Sequence, residues 1–240
     1  MISVHADVVG SLLRPPKLLE AQKQVAAGRI TASQFREIED GAVDHAIALQ
    51  ESAGLQVVTD GEMRRQSFQS QMTAAVSGFG EFTFEAFLWG NWHDATGVER
   101  KPRPPRLGAT SKLERRRYLS LEEFRYLKNK TTRIPKITLP SPGLWANFWS
   151  AEHSHSAYPT LESFLVDIVK ILREEVSELA SAGATYIQLD APHYGLLLDP
   201  KTRSFYESQG WALDHWLTVG IDLDNAIMDG FPDVTFGFHV

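Results

Sequence analysis

Short apolar segments that end in an acidic or imidazole side chain alternate with amphipathic segments along this chain, and this alternation restricts the fold most. The run 186–190 (YIQLD) ends in Asp190, the run 56–60 ends in Asp60, and the last run ends in His239. Near-continuous apolar strands separated by helices are typical of a parallel sheet. In such folds, ligands bind at the carboxyl ends of the strands. The sequence therefore predicts an α/β protein with a polar site at one edge of its sheet.

Two predicted helices have clear start signals. Thr31 and Gln34 form a capping box, and Thr160 precedes the best apolar periodicity in the chain. The first strand–helix junction contains one glycine, Gly10, and no G-x-G-x-x-G motif, so a TIM-like (β/α) barrel is preferred to a dinucleotide-binding fold. We predict strands at 4–9, 56–60, 106–113, 135–139, 186–190 and 234–239, an irregular stretch at 78–92, and helices at 18–29, after Thr31, at 121–128, after Thr160 and over most of 206–229. Closure requires eight strands, so residues 1–240 are predicted to form a single, incomplete barrel domain with about six of them.

The composition excludes several functional classes. The 240 residues carry a net charge of −6, which argues against a protein that coats nucleic acid. There are no cysteines, which removes disulfides, cysteine-bound metals and a cysteine nucleophile from this chain. No apolar run approaches the roughly 18 residues of a membrane span, and the first residues show no secretory signal. We therefore predict a cytoplasmic protein without nucleic-acid or membrane partners.

Positive charge is concentrated in the middle of the chain. Thirteen of the 24 Lys and Arg residues lie between Arg100 and Lys136, together with three Glu residues. Such a block is most often a solvated surface, and we predict a basic insertion over about 100–136. An anionic ligand tail is the alternative partner for this charge.

The acids at the strand ends are the first candidates for chemistry. In Asp60-Gly61-Glu62, the glycine lets the backbone bend so that both carboxylates can face the sheet edge. Carboxylates placed there bind a substrate ammonium, ligate a metal or transfer a proton, whereas pairing with a neighbouring arginine is the structural alternative. Asp190 ends an apolar strand and cannot be buried without a partner, so we expect it to point into the site. A glycosidase with Glu62 and Asp190 as its carboxylate pair is one enzyme hypothesis.

Histidine is the other candidate group. His239 ends the last predicted strand, where an imidazole can bind a metal or form a buried hydrogen bond. We interpret His193 as an ordinary loop residue. The pair His153-x-His155 lies in a loop rich in Ser, His and Tyr, and a metal site there is disfavoured, because zinc requires three or four ligands and no H-E-x-x-H motif is present. A G-x-S-x-G motif is also absent, so a serine hydrolase has no support.

Five segments, each at a predicted strand end, resemble the cobalamin-independent methionine synthase family and follow its order. They are 5–15 (HADVVGSLLRP), 57–64 (VVTDGEMR), 139–142 (LPSP), 186–190 (YIQLD) and 236–239 (FGFH). The likeness is greatest to the short, single-barrel bacterial members. It implies a TIM-like barrel and a zinc ion that activates a thiol. The implied reaction transfers a methyl group from 5-methyltetrahydrofolate, or its polyglutamate form, to homocysteine and gives methionine.

The resemblance also implies roles for individual residues. Ser11 matches the serine that contacts homocysteine. Glu62 and Asp190 match the acids that contact its amino group, and they are the predicted catalytic residues. His239 matches the first zinc ligand, which begins a His-x-Cys pair in the family. An aromatic ring after the fourth strand stacks on the pterin in the family, and the candidates for it are Trp145, Phe148 and Trp149.

The sequence departs from the family pattern in two places. The Asp-Glu-Pro of the family is Asp190-Ala191-Pro192 here, and the sequence ends at Val240, where the family has a cysteine zinc ligand. The later ligands and the last two strands are also missing, so we expect the chain to be inactive alone or to need a complementing C-terminal segment. There are two alternatives. One is a thiol alkyltransferase of the same superfamily that acts on coenzyme M or another thiol, and the other is a non-catalytic fragment or binding subunit.

Overall fold

The structure is a computed structural model that describes residues 6–67, 70–81, 92–93, 96, 99–100, 107–208 and 210–240. Its strands are β1 (Val57–Val58), β2 (Val76–Glu81), β3 (Trp92–His93), β4 (Glu99–Arg100), β5 (Leu107–Arg115), β6 (Ile134–Pro140), β7 (Tyr186–Asp190) and β8 (Thr235–His239). Its helices are α1 (Pro16–Ala26), α2 (Ala32–Ser52), α3 (Ser70–Ala75), α4 (Leu121–Lys130), α5 (Leu161–Ser181), α6 (His193–Leu196), α7 (Pro200–Ser208), α8 (Leu213–His215) and α9 (Ile221–Met228). A 3-10 segment (Pro142–Phe148) follows β6, and a π-helical turn (Trp216–Gly220) follows α8.

Four strands form one parallel sheet in the order β1-β6-β7-β8. The register places Thr138 opposite Gln188, and Asp190 between Pro140 and His239. The ends of β6, β7 and β8 therefore lie side by side at one edge of the sheet. This arrangement confirms the predicted α/β class with a parallel sheet.

Two predicted strands do not join this sheet. The strand predicted at 106–113 is present as β5 over its described residues, but its predicted place in the barrel is wrong, because β5 pairs antiparallel with β2 in a separate two-stranded ribbon. One face of β5 is exposed, as is usual for antiparallel strands. The predicted irregular stretch at 78–92 is wrong for residues 78–81, which belong to β2, and residues 82–91 lie outside the described residues.

The predicted first strand at 4–9 is also wrong for residues 6–9, whereas residues 4 and 5 lie outside the described part of the chain. Side chains in and next to the sheet donate hydrogen bonds to the backbone carbonyls of residues 8–10. Lys136 Nζ donates to the carbonyl of Val8, Gln188 Nε2 donates to that of Val9 at 2.7 Å, and Thr59 Oγ1 donates to that of Gly10 at 2.6 Å. The segment thus crosses the face of the sheet. The parallel sheet has four strands among the described residues, fewer than the six predicted.

The long helices follow their sequence signals more closely. The capping boxes at Thr31 and Thr160 are both formed, and they begin α2 and α5. The helix predicted at 18–29 begins earlier, at Pro16, because the fixed φ of proline suits a first helical turn. The helical region predicted at 206–229 is broken, since Gly210 has a φ of 88° after α7. No helix in the described residues has the length and apolar content needed to cross a membrane.

The main hydrophobic core fills the space between the sheet and α5. Ile137, Leu139, Ile187 and Leu189 contribute to it from β6 and β7 and are at most 1% exposed. Side chains alternate between the two faces of a strand. The opposite face of β6 and β7 is therefore polar, and it carries Lys136, Thr138, Gln188 and Asp190.

Candidate functional site

The turn after β1 brings the Glu62 side chain to the polar face of the sheet. Gly61 has a φ of 69° and Glu62 a φ of 55°, a left-handed conformation that is uncommon for a residue other than glycine. Asp60 Oδ1 accepts a hydrogen bond from the Glu62 amide at 2.9 Å, which compensates part of the cost of this turn. The sharp bend expected at Gly61 is therefore present, but the Asp60 carboxylate points back into the turn.

One oxygen of the Glu62 carboxylate is held firmly by the chain itself. Oε1 accepts hydrogen bonds from Thr138 Oγ1 at 2.7 Å and from Arg65 Nη1 at 3.3 Å. Gly10 lies against the same oxygen, since a Cβ atom on this glycine would be 2.7 Å from it. Among the described residues, no group donates a hydrogen bond to Oε2, and this oxygen is available to a ligand.

Asp190 has a similar arrangement. Its Oδ1 accepts from Gln188 Nε2 at 2.7 Å and lies 3.0 Å from His239 Nδ1. Lys136 Nζ donates to Gln188 Oε1 at 2.8 Å, so the amide must present its NH2 group to Asp190. Within the described part of the chain, Oδ2 has no hydrogen-bond donor.

The two carboxylates lie at the same polar face of the sheet, and each is bonded to a side chain of that face. Thr138 holds Glu62, and Gln188, which is opposite Thr138 in the register, holds Asp190. Burial raises the pKa of Asp190; hydrogen bonds from Gln188 and His239 oppose the rise, and the negative charge of Glu62 adds to it. Two nearby carboxylates, each with one oxygen left over, favour a bound cation.

The other predicted site residues have different environments. Ser11 is exposed, and it directly follows Gly10, the residue that lies against the Glu62 carboxylate. The next amide, Leu12 N, donates a hydrogen bond to the Gly61 carbonyl at 3.0 Å. Trp145 is completely buried, and its ring packs on Phe148 with centroids 5.0 Å apart. Trp149 is also buried, and its Nε1 donates to the Tyr158 carbonyl. Stacking of a pterin on either tryptophan would require these rings to move, and both assignments stay predictions.

Three histidines considered from the sequence, His153, His155 and His193, are not bonded to either carboxylate in the described residues. His153 and His155 are exposed in a surface turn. The prediction that His193 is a loop residue is wrong. His193 begins α6, and it is 2% exposed beside Trp216. Neither of its ring nitrogens has a hydrogen-bond partner in the structure as described. Burial lowers the pKa of His193 to about 3, so the imidazole is neutral in the folded protein at pH 7.

Replacement of His193 by leucine should make unfolding less sensitive to acid. The imidazole titrates near pH 6.5 in the unfolded chain, so protonation below this pH favours unfolding until about pH 3. As the pH falls from 7 to 5, we expect the unaltered chain to lose about 2 kcal/mol more of its free energy of unfolding than the His193→Leu variant loses. Urea unfolding at both pH values measures this difference, and a difference that does not change with pH would contradict it.

The described residues do not fit a zinc ion. They contain no group of three or more His, Cys, Asp or Glu side chains arranged to hold a metal. Of the side chains in the described ranges, the Asp190 carboxylate is the one potential ligand within hydrogen-bond distance of the His239 ring, and zinc needs three or four ligands.

Several cations of the basic segment pair with the acids of this chain. Arg115 contacts three glutamates of α5, Lys112 contacts Asp167, and Lys130 contacts Asp44. These ion pairs leave less positive charge for an anionic ligand than the sequence suggests. The groove of about 500 Å³ between α1 and α2 contains none of the predicted site residues.

The structural alternative given above, pairing with a neighbouring arginine, is present, since Arg65 pairs with Glu62. Sequence reasoning missed the other residues around the two carboxylates, which are Gly10, Thr138, Lys136 and Gln188. The available signal was a polar residue inside an otherwise apolar strand, as at Gln188 and Thr138, because such a side chain needs a buried partner.

Comparison with known proteins identifies the family. A model of the catalytic domain of cobalamin-independent synthases matches residues 5–224. The chain belongs to the cobalamin-independent methionine synthase family. This is a family of methyltransferases, and the match gives no support to the glycosidase hypothesis.

Several members of this family are similar over most of the chain. Methionine synthase from Pyrococcus abyssi is 35% identical over 187 residues, which cover 78% of this chain and 51% of that protein. Methionine synthase from Thermococcus kodakarensis is 33% identical over 235 residues, which cover 98% of this chain and 60% of that protein. The uncharacterized protein YxjH of Bacillus subtilis is 27% identical over 241 residues, which cover 98% and 61%. The chain thus spans about half to three fifths of the length of these relatives.

Solved structures of similar proteins support the fold. A putative vitamin-B12 independent methionine synthase from Listeria monocytogenes has a TM-score of 0.70 and 22% identity, over 99% of this chain and 65% of its own. A B12-independent methionine synthase from Shewanella has a TM-score of 0.65 and 20% identity, over 88% and 54%. These matches confirm the predicted fold class, a TIM-like α/β barrel of the methionine synthase type.

Proposed function

We propose that this chain binds the amino-acid thiol in a methyl transfer from 5-methyltetrahydrofolate, or its polyglutamate form, to homocysteine. The observation that carries the proposal is the pair of carboxylates, Glu62 and Asp190, each with one oxygen held by the chain and one left for a ligand. An ammonium group between them would compensate both negative charges. Family membership supplies the reaction.

The chain's own contribution would be orientation. With the ammonium at Glu62 and Asp190, the thiol of homocysteine would be held at a fixed distance from this anchor. Ser11 would contact the same ligand, and Trp145 or Trp149 would contact the pterin after a movement of its ring. Holding two reactants in line removes much of the entropic barrier to a bimolecular methyl transfer.

Electrostatics favours homocysteine over coenzyme M as the thiol. Coenzyme M carries a sulfonate and no amino group, and two carboxylates would repel it. Homocysteine offers the cation that this pair requires.

Zinc is the proposed cofactor of the complete enzyme and supplies activation of the thiol when bound. His239 would be one ligand, but the described residues do not fit a zinc site on their own, so we derive no step through the metal. We propose that a complementing segment supplies the remaining ligands at the outer edge of β8, which is unpaired in the described residues and carries the exposed Phe238. The proposed compartment is the cytoplasm.

Formation of labelled methionine tests this function. The 240-residue chain is incubated with homocysteine, zinc and methyl-labelled 5-methyltetrahydrofolate as the mono- and triglutamate, alone and with a peptide that contains the later barrel strands of a relative. We expect binding of homocysteine by the chain alone and turnover only with the peptide. Absence of homocysteine binding would contradict the proposal, whereas binding without turnover in both cases would favour a binding subunit.

A further inference from the structure

Arg65 is a buried cation that contacts the Glu62 carboxylate. Its side chain is 1% exposed. Nη1 lies 3.3 Å from Glu62 Oε1 and 2.9 Å from Thr138 Oγ1, and Thr138 Oγ1 itself donates to Glu62 Oε1 at 2.7 Å. The guanidinium and the hydroxyl therefore converge on the same carboxylate oxygen.

Other contacts fix the direction of the guanidinium. Nε and Nη2 donate to Glu123 Oε2 at 3.0 and 2.9 Å, and Nη2 also donates to the Thr138 carbonyl at 3.0 Å. Because the guanidinium is planar, these bonds determine where Nη1 points. Glu123 neutralises the buried charge, so the contact of Nη1 with Glu62 is not needed for charge balance alone.

The backbone around the turn is fixed by a second arginine. Arg14 Nη2 donates to the carbonyls of Glu62 and Arg65, at 3.2 and 2.7 Å. This fixes the main chain at Glu62 but leaves its side chain, with three rotatable bonds, free to choose a rotamer. The contacts that select the rotamer come from Arg65 and Thr138.

We propose that Arg65 is a positioning residue that holds Glu62 Oε1 and thereby directs Oε2 to the amino group of the thiol ligand. The inference rests on the proposed function, because it takes the ligand cation to be the ammonium of homocysteine. Arg65 itself does not touch the ligand. Its effect is on affinity for the amino group and not for the thiol.

Replacement of Arg65 by lysine tests this role, because lysine keeps the positive charge opposite Glu123 but lacks the planar fork. We expect the dissociation constant of L-homocysteine to rise about 10-fold and that of 4-sulfanylbutanoate, which lacks the amino group, to change less than about 2-fold. Isothermal titration calorimetry on the full chain measures both. Arg64→Lys is the matched control, since Arg64 contacts Glu39 and Asp40 and not Glu62.

Equal weakening of both ligands, or no change in either, would overturn the inference. If Arg65→Lys does not fold, Glu123→Gln takes its place with the same expectation, because it weakens the group that directs the guanidinium. If the unaltered chain binds no homocysteine, the proposed function fails and the carboxyl carbon NMR signal of Glu62 decides the role of Arg65. A shift of this signal in Arg65→Lys but not in Arg64→Lys supports positioning, and an unchanged signal overturns it.

Discussion

Replacement of Glu175 by leucine should lower the free energy of unfolding by about 3 to 5 kcal/mol. Glu175 lies on α5 and is completely buried. Its carboxylate accepts hydrogen bonds from the amides of Leu119, Ser120 and Leu121 at 2.7 to 2.9 Å and pairs with Arg115. It therefore caps α4 from another helix, where Ser120 makes no side-chain cap. Leucine has a similar volume but would leave three buried amides without their acceptor, while Arg115 would keep only its contacts with Glu174 and Glu178.

The adjacent glutamate provides a matched control. Glu174 is also on α5 and also faces Arg115, at 3.6 Å, but its side chain is 61% exposed. Exposed ion pairs contribute little, so Glu174→Leu should change the free energy of unfolding by less than about 1 kcal/mol. Urea unfolding of the two variants measures the comparison, and equal losses would show that the buried cap is unimportant.

Replacement of Glu62 by glutamine should weaken homocysteine binding about 100-fold, and Asp190→Asn should have a similar effect. Each change keeps the shape of the side chain and removes one of the two charges proposed to receive the ammonium. Thr138 can still donate to the remaining amide oxygen of the glutamine variant, so we expect the turn to persist. Titration calorimetry gives the dissociation constants.

A ligand without an amino group, 4-sulfanylbutanoate, distinguishes loss of ammonium binding from a general disturbance of the site. Binding of 4-sulfanylbutanoate should change less than about 3-fold in both variants, since it has no cation to lose. Asp224→Asn is the control, because Asp224 is equally buried but is hydrogen-bonded to Tyr194 and is not among the predicted ligand residues. Unchanged homocysteine affinity in Glu62→Gln and Asp190→Asn would remove the basis of the proposed site.

Local signals predicted the elements that depend on neighbouring residues. The capping boxes at Thr31 and Thr160 predicted the starts of α2 and α5, and the apolar run 186–190 matches β7 residue for residue. Pairing partners are long-range and could not be predicted in this way. The segment 107–115 has a strand-like sequence, but only the folded chain shows that it pairs with β2 and not with the parallel sheet.

The acids of the candidate site could be predicted from the sequence, but the contacts that hold them could not. Acids at strand ends could be recognised from the sequence, because parallel strands share one carboxyl edge. Which donor holds which acid could not be predicted, because this depends on long-range pairing of the strands. Arg65 looked equivalent to Arg64 in the sequence, yet one points to Glu62 and the other to α2, a difference set by the left-handed turn at Glu62.

The Lys136 ammonium has a consequence for any shortened or permuted version of this protein. It is completely buried, and the carboxylate within ion-pair distance of it among the described residues is Asp7, at 2.9 Å. Removal of Asp7 would leave this buried cation without its carboxylate partner, which is costly in the interior of a protein. Asp7 should therefore be treated as part of the interior, and any redesigned version of this protein should retain it.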